Sequence, residues 1–288
     1  MIIKRARVYG MCFGVRDAIA LAGQVAAQSG PVTVLGQLVH NPDVLQSLRE
    51  QGVDVAENIN TVRVEPGTHY VITAHGISDA QREVWSQTGA TLHDTTCPLV
   101  QKAHHRLREF VAMGLHPVVI GKAGHVEVLG LTGDYREATV IETESDIAKL
   151  PPERGLGVVS QTTQPIERVR DLVLCIRLLR PTQALFFADT VCQPTKDRQN
   201  ALRELCAEVE AVIVVGGRES NNTRQLVLAA QSYGVRAYSV EGPHDLHAEW
   251  LINVARVGLT AGTSTPDAVI DAVEQALMQL SAHTRLAA

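Results

Sequence analysis

One unit recurs six times along this 288-residue chain: a short β-branched run ends in small or polar residues, and a helical pattern follows. The runs are residues 32–36, 70–74, 117–121, 157–160, 211–215 and 257–261. They are apolar without alternation, as in strands of a parallel sheet covered on both faces. Glycines and prolines mark the turns between them. Strands alternating with helices at this rhythm predict an α/β fold, with two such turns in each of three lobes. No long linker divides them; residues 151–155, rich in proline, form the clearest loop.

The cysteines subdivide the chain in the same way. In Asp94-Thr95-Thr96-Cys97-Pro98-Leu99, the proline opens a helical pattern through Val100, Ala103 and Leu107. Proline suits the first helical position, where its missing N–H would have had no partner. Cys97 therefore stands at a helix N-terminus, where unpaired N–H groups and the positive dipole end stabilise a thiolate. Cys12 precedes the pattern Val15, Ala18, Ile19, Ala22, and Cys192 precedes Pro194, Ala201, Leu202 and Leu205. Three similarly placed, nearly evenly spaced cysteines predict three similar α/β lobes, at 13–97, 98–188 and 189–280, each bringing one thiolate to a common centre. Cys175 and Cys206 fall at apolar helix positions and read as small buried hydrophobes. Five cysteines, without an export signal, speak against a disulfide framework.

Composition narrows the class. Apolar residues make up 45% and charged residues 20%, an ordinary globular balance. A net charge of −5 argues against a protein that coats nucleic acid. No apolar run approaches the ~18 residues that span a bilayer, and residues 1–7 lack the apolar core of a signal peptide. A cytoplasmic protein with no membrane partner is expected.

Ligands of open α/β sheets bind beyond the carboxyl ends of the strands. The six turns there carry His40; His75; His125 with Glu127; Thr162; Ser220 with Asn222; and Ser264. If the lobes converge at their strand ends, these groups ring one cavity with Cys12, Cys97 and Cys192 at its floor. Residues 121–125 lack the Gly-Lys-Ser/Thr ending of a phosphate loop, and 258–262 are no dinucleotide fingerprint. Three cysteines without close-set pairs disfavour structural zinc. Three thiolates would leave one iron of a 4Fe–4S cluster without a protein ligand, and an open metal position can polarise a substrate. Neutral donors and helix N-termini suit an anion such as a diphosphate.

Residues 10–15 around Cys12, 39–41 around His40, 74–76 around His75, 96–98 around Cys97, 124–128 around His125 and Glu127, 160–163 around Thr162, Cys192, 220–222 and 260–267 form an ordered set of motifs. Together they resemble the 4-hydroxy-3-methylbut-2-enyl diphosphate reductase (LytB) family over almost the whole chain. The resemblance implies a pseudo-threefold trefoil of three α/β lobes, with residues 1–12 packing on the third. At its centre it implies one 4Fe–4S cluster held by Cys12, Cys97 and Cys192, with the fourth iron open to substrate. It implies a substrate pocket lined by His40, His75, His125, Thr162, Ser220, Asn222 and Ser264, with Asn221 at the diphosphate end. Glu127 would belong to the proton-delivery network together with Thr162 and His125. The chain departs from the family pattern at Met11, Val126 and Gln193-Pro194, which leaves the ligands and the acid in place.

The implied activity is the last step of the methylerythritol phosphate (non-mevalonate) isoprenoid route. It is a reductive dehydroxylation yielding isopentenyl and dimethylallyl diphosphate, with electrons from ferredoxin or flavodoxin. A monomer or weak homodimer is expected. Three other readings remain open at this point. An iron–sulfur sensor would use the cysteines without needing Glu127, a paralogue would act on another phosphorylated substrate, and a zinc-dependent hydrolase would act on phosphorylated substrates.

Overall fold

The computed structural model describes residues 1–36, 38, 42–56, 62 and 64–286. In chain order the elements are β1 (Ile2–Arg5), α1 (Phe13–Ser29), β2 (Val32–Leu35), α2 (Pro42–Glu50), β3 (Val53–Ala56), β4 (His69–Ile72) and α3 (Asp79–Ser86). They continue with β5 (Thr91–Asp94), α4 (Pro98–Ala112), β6 (His116–Ile120), α5 (Val126–Thr132), β7 (Thr139–Ile141), β8 (Leu156–Ser160), α6 (Ile166–Leu179) and β9 (Leu185–Phe187). The last are α7 (Gln193–Cys206), β10 (Ala211–Val215), α8 (Asn221–Ser232), β11 (Arg236–Val240), β12 (Arg256–Ala261) and α9 (Asp267–Leu286). No helix among the described residues is long and apolar enough to cross a membrane.

The strands form three four-stranded sheets, ordered β3-β2-β4-β5, β7-β6-β8-β9 and β11-β10-β12-β1. Every pairing among the described residues is parallel. The three orders are one topology repeated: an inner strand, an edge strand beside it, a second inner strand across the first, and a far edge. In the third sheet the far edge comes from the other end of the chain, where β1 pairs with β12 from Ile2↔Arg256 to Arg5↔Leu259.

The six runs legible in the sequence are the six inner strands. Inner strands are flanked on both sides and covered on both faces, so they carry unbroken apolar sequence; β6, β8 and β10 are buried at every position. Edge strands such as β5 (Thr91–Asp94) are half-buried to exposed, and their mixed sequence carries a weaker signal. The terminal helix α9 extends beyond the third-lobe bound of 280, to Leu286.

The chain packs as two compact units. The first comprises Met1–Arg16, Val39–Ser47 and Gln193–Ala288 and holds the third sheet. On one face of that sheet Ile213, Val215, Val257 and Leu259 pack against Ile270, Val273 and Leu277 of α9. On the other, Val212 and Val214 pack against Leu202 and Leu205 of α7 and Leu226 of α8. The second unit comprises Asp17–Leu38 and Leu48–Cys192 and holds the other two sheets. There Val118, Ile120 and Val158 face Val169, Leu172 and Ile176 of α6. Val119 and Val159 face Ala103 and Leu107 of α4 and Val128 and Leu131 of α5. Each buried valine, leucine or isoleucine among them contributes roughly 1.5–3 kcal/mol relative to exposure.

Packing is tightest where α4 crosses β8. A Cβ on Gly157 would stand 2.4 Å from Phe110 Cβ, an atom tied to the backbone that cannot turn away. Gly157→Ala should therefore destabilise the fold by about 1–3 kcal/mol, the usual cost of overpacking. The check is denaturant unfolding, where the midpoint should fall at unchanged slope; an unmoved midpoint would contradict the close contact.

Candidate active site

All three candidate ligand cysteines directly precede a helix: Cys12 before α1, Cys97 before α4 and Cys192 before α7. Each leaves a far-edge strand, β1, β5 or β9. Each donates its backbone N–H to a carbonyl two residues beyond the second inner strand of its sheet. Cys97 N–H donates to Ala74 O (3.0 Å), Cys192 N–H to Thr162 O (2.9 Å) and Cys12 N–H to Thr263 O (3.0 Å). All five cysteines are thiols, with no disulfide among the described residues. Cys206 is buried as expected, and burial pushes its thiol up to about 11. Cys175 is half-buried beside the α6 core rather than fully enclosed.

The first inner strand of each sheet also ends alike. Gly36, Gly121 and Gly216 follow β2, β6 and β10 and donate their N–H groups to Ala56, Ile141 and Val240 on the adjacent edge. Four residues after these glycines in sequence stand His40, His125 and Ser220. His125 caps α5, its Nδ1 accepting from Glu127 N–H at 3.2 Å, and Ser220 caps α8, its Oγ accepting from Thr223 N–H at 3.3 Å. His40 lies outside the described residues.

In the second unit, Glu127 is 1% exposed. Its Oε1 accepts the Thr162 N–H at 2.6 Å and its Oε2 accepts the Thr162 hydroxyl at 3.0 Å. The Thr162 carbonyl in turn holds Cys192, so carboxyl, hydroxyl and cysteine backbone form one chain of contacts. A carboxylate merely capping a helix would bond to that helix's own N–H groups; here His125 does so, and Glu127 reaches across to the turn after β8. Burial pushes the Glu127 carboxyl up to about 7, against the two Thr162 hydrogen bonds that favour its charged form. His75 and His125 meet edge to face, with ring centroids 5.6 Å apart. The turn carrying His75 is held close: Gly76 has φ +71°, and a Cβ there would stand 2.9 Å from Thr96.

In the first unit, Asn221, Asn222 and Ser264 are all buried. Asn222 Oδ1 accepts the Thr263 N–H at 3.1 Å, and Thr263 O accepts from Cys12. Asn222 therefore repeats the role of Glu127 one lobe further on, with an amide in place of the acid. Ser264 follows Thr263 directly, so its turn is fixed by the same two bonds.

Several supporting residues carry no mark of their role in the sequence. Arg198 on α7 is 4% exposed and donates to Gly10 O from Nε (3.2 Å) and Nη2 (2.5 Å), and to Pro194 O from Nη1 (2.8 Å). It clamps the loop that leads to Cys12. In a helix with Lys196 and Arg203 nearby, its sequence carries no mark of burial. Asp94 accepts the Thr96 N–H at 2.9 Å and is paired with Arg82, which also donates to Thr96 Oγ1 at 2.9 Å, so the residue before Cys97 is held from both sides. Thr190 both accepts from Ser160 N–H (2.8 Å) and donates to Ser160 O (2.7 Å), tying the approach to Cys192 to the end of β8.

A family model described as LytB protein matches residues 3–278. The chain belongs to the LytB family. Among relatives, 4-hydroxy-3-methylbut-2-enyl diphosphate reductase 1 of Mycobacterium tuberculosis is 36% identical over 272 residues, spanning 92% of this chain and 83% of that protein. The Escherichia coli protein of the same activity name is 35% identical over 287 residues, spanning 97% and 90%. The solved E-1-hydroxy-2-methyl-but-2-enyl-4-diphosphate reductase from Plasmodium falciparum superposes with a TM-score of 0.89 at 30% identity, covering 96% of this chain and 88% of that one. A second solved reductase, described as the terminal enzyme of the non-mevalonate pathway, gives a TM-score of 0.70 at 32% identity, covering 97% and 100%. Membership in the LytB family agrees with the resemblance read from the turns and with the three parallel α/β sheets.

Glu127 generates a stability prediction. Its value in the folded chain lies above the ordinary 4.5, so between about pH 4.5 and 7 the folded state binds more protons than the unfolded one. Stability should fall as pH rises through that window. Glu127→Gln, which keeps an acceptor for Thr162 N–H and titrates no proton, should flatten that part of the profile by about 2–3 kcal/mol between pH 5 and 8. Urea unfolding of both proteins at the two pH values measures it; parallel profiles would contradict the raised value.

Proposed function

We propose that this chain catalyses the reductive dehydroxylation of 4-hydroxy-3-methylbut-2-enyl diphosphate to isopentenyl and dimethylallyl diphosphate. The observation that carries the reading is the contact chain from the buried Glu127 carboxyl through Thr162 to Cys192, which joins a proton store to a cysteine at a helix N-terminus. An iron–sulfur sensor needs no such acid.

Cys12, Cys97 and Cys192 are proposed to hold one 4Fe–4S cluster, with its fourth iron open to substrate. No three His, Cys, Asp or Glu side chains are gathered as a metal site among the described residues, so the support lies in how each thiol is set. Each is half-buried, unbridged and placed before a helix, with its own N–H engaged by a turn carbonyl. Soft cysteine ligands suit iron–sulfur clusters. Such a cluster supplies electrons one at a time and a Lewis-acidic iron.

The protein's own groups supply the rest. The α8 N-terminus with Ser220, Asn221, Asn222 and Ser264 binds the diphosphate, because oriented N–H, amide and hydroxyl donors suit an anion. His40, His75 and His125 line the substrate. Cleaving the C–O bond consumes two electrons and two protons: one proton leaves with the oxygen as water and the other ends on the allylic carbon chain. Burial raises the Glu127 carboxyl to about 7, so a proton is available on it near neutral pH. Glu127 gives it to Thr162 Oγ1, and Thr162 gives its own to the departing oxygen. The three lobes, 13–97, 98–188 and 189–280 with 1–12, are read as the units that bring these turns together. Ferredoxin or flavodoxin is the proposed donor, and a cytoplasmic monomer or weak homodimer the proposed state.

Metal analysis after anaerobic purification should find iron and sulfide near four per chain. Cys97→Ser should lose them and Cys206→Ser keep them, since a hydroxyl replaces a soft ligand poorly. Zinc alone at one per chain would sink the cluster assignment. Glu127→Gln should retain the cluster spectrum and lose turnover with an artificial reductant by ~10²-fold or more, the scale of a missing general acid. Near-normal turnover would remove Glu127 from the proton path.

A further inference from the structure

The second and third lobes differ at two equivalent buried positions. Val128 stands three residues after the cap His125, and a Cβ on Gly121 would meet its Cγ2 at 2.8 Å. Thr223 stands three residues after the cap Ser220, and a Cβ on Gly216 would meet its Oγ1 at 2.3 Å. Val159 is the last but one residue of β8, and Thr260 holds that place in β12. In the second lobe Val128 and Val159 share one apolar cluster. In the third lobe the matching residues are threonines, 1% and 0% exposed, and neither hydroxyl has a partner among the described residues. Threonine has the shape of valine, so packing does not require it, and a buried hydroxyl without a partner is unfavourable.

The Thr223 hydroxyl has a defined position. It also lies 2.4 Å from where a Cβ on Gly262 would stand. Gly216 and Gly262 are the residues immediately after β10 and β12, the two inner strands where the order of this sheet reverses and ligands of such sheets enter. Thr223 belongs to the first turn of α8, a helix of 12 residues. Its backbone N–H is engaged by Ser220 Oγ, and the neighbouring Thr263 N–H by Asn222 Oδ1. The Thr223 hydroxyl is itself a buried donor with no partner among the described residues.

We propose that Thr223 is a further substrate-binding residue, whose hydroxyl donates to a phosphate oxygen of the diphosphate held at the N-terminus of α8. This rests on the reading that α8 binds that group. The bound anion satisfies the buried hydroxyl, which explains a threonine where the second lobe uses valine.

The test is calorimetric titration of inorganic diphosphate into the cluster-loaded protein, made with the native chain, Thr223→Val, Thr260→Val and Ser220→Ala/Asn222→Ala. Thr223→Val should bind about tenfold or more weakly, as expected for a lost hydrogen bond to a charged group. Its thermal midpoint without ligand should be unchanged or higher. Thr260→Val makes the same chemical change one strand position behind Ala261 and should leave the affinity within twofold. If Thr223→Val folds poorly, Thr223→Ser should bind like the native chain and Thr223→Ala should not. Native affinity in Thr223→Val, beside weakened binding in the Ser220/Asn222 variant, overturns the role of Thr223 alone. Equal weakening by Thr223→Val and Thr260→Val also overturns it, as a packing effect. Native affinity in the Ser220/Asn222 variant overturns the α8 site itself.

Discussion

The hydrogen bond from a cysteine N–H to a carbonyl two residues beyond an inner strand is the contact on which the site depends. It occurs at Cys97, Cys192 and Cys12, each time closing the same loop of the same sheet topology. One such bond contributes only about 1 kcal/mol net. Its importance is geometric, because it ties the departure of the far edge strand to the turn of its inner neighbour. The thiol, the start of the following helix and the polar turn then move as one piece. Thr190 and Arg198 and the Asp94–Arg82 pair reinforce the approaches to Cys192, Cys12 and Cys97 by three different means. The bond repeats in form from lobe to lobe while its supports do not.

On that shared frame, the polar groups at the turns differ by single substitutions at equivalent places. Two residues beyond the cap, the second lobe carries Glu127 and the third Asn222, and each accepts the N–H of the residue that holds a cysteine. In the first lobe that place in the sequence is Pro42, whose ring has no acceptor. An amide serves the structural purpose as well as an acid does. A carboxyl buried at this position therefore adds a proton and little else, and its burial is what keeps the proton on near neutral pH. The caps differ in the same way: an imidazole at His125 and a hydroxyl at Ser220 meet the same need of a helix N-terminus with different polar groups.

What the sequence by itself determined was the periodic part. The six inner strands, the cysteines before helices and the polar turns were legible because burial on both faces leaves an unbroken apolar run, and because proline, glycine and cap residues act locally. The α/β class followed from their alternation, and the turn motifs together pointed to the LytB family. The edge strands carried little signal, since half-exposed positions such as those of β5 accept almost any residue.

Only the tertiary structure decided which polar residues are partners. Glu127 and Thr162 are 35 residues apart, and Asn222 and Thr263 are 41; no local rule links them. The burial of Arg198 and the lack of a partner for the Thr223 hydroxyl among the described residues were likewise invisible, because an arginine on a helix and a threonine in its first turn are ordinary in sequence. The pairing arises when parallel crossovers carry distant turns to the same end of a sheet. There the protein's low polarisability makes a lone carboxyl hold its proton and an unpaired hydroxyl costly.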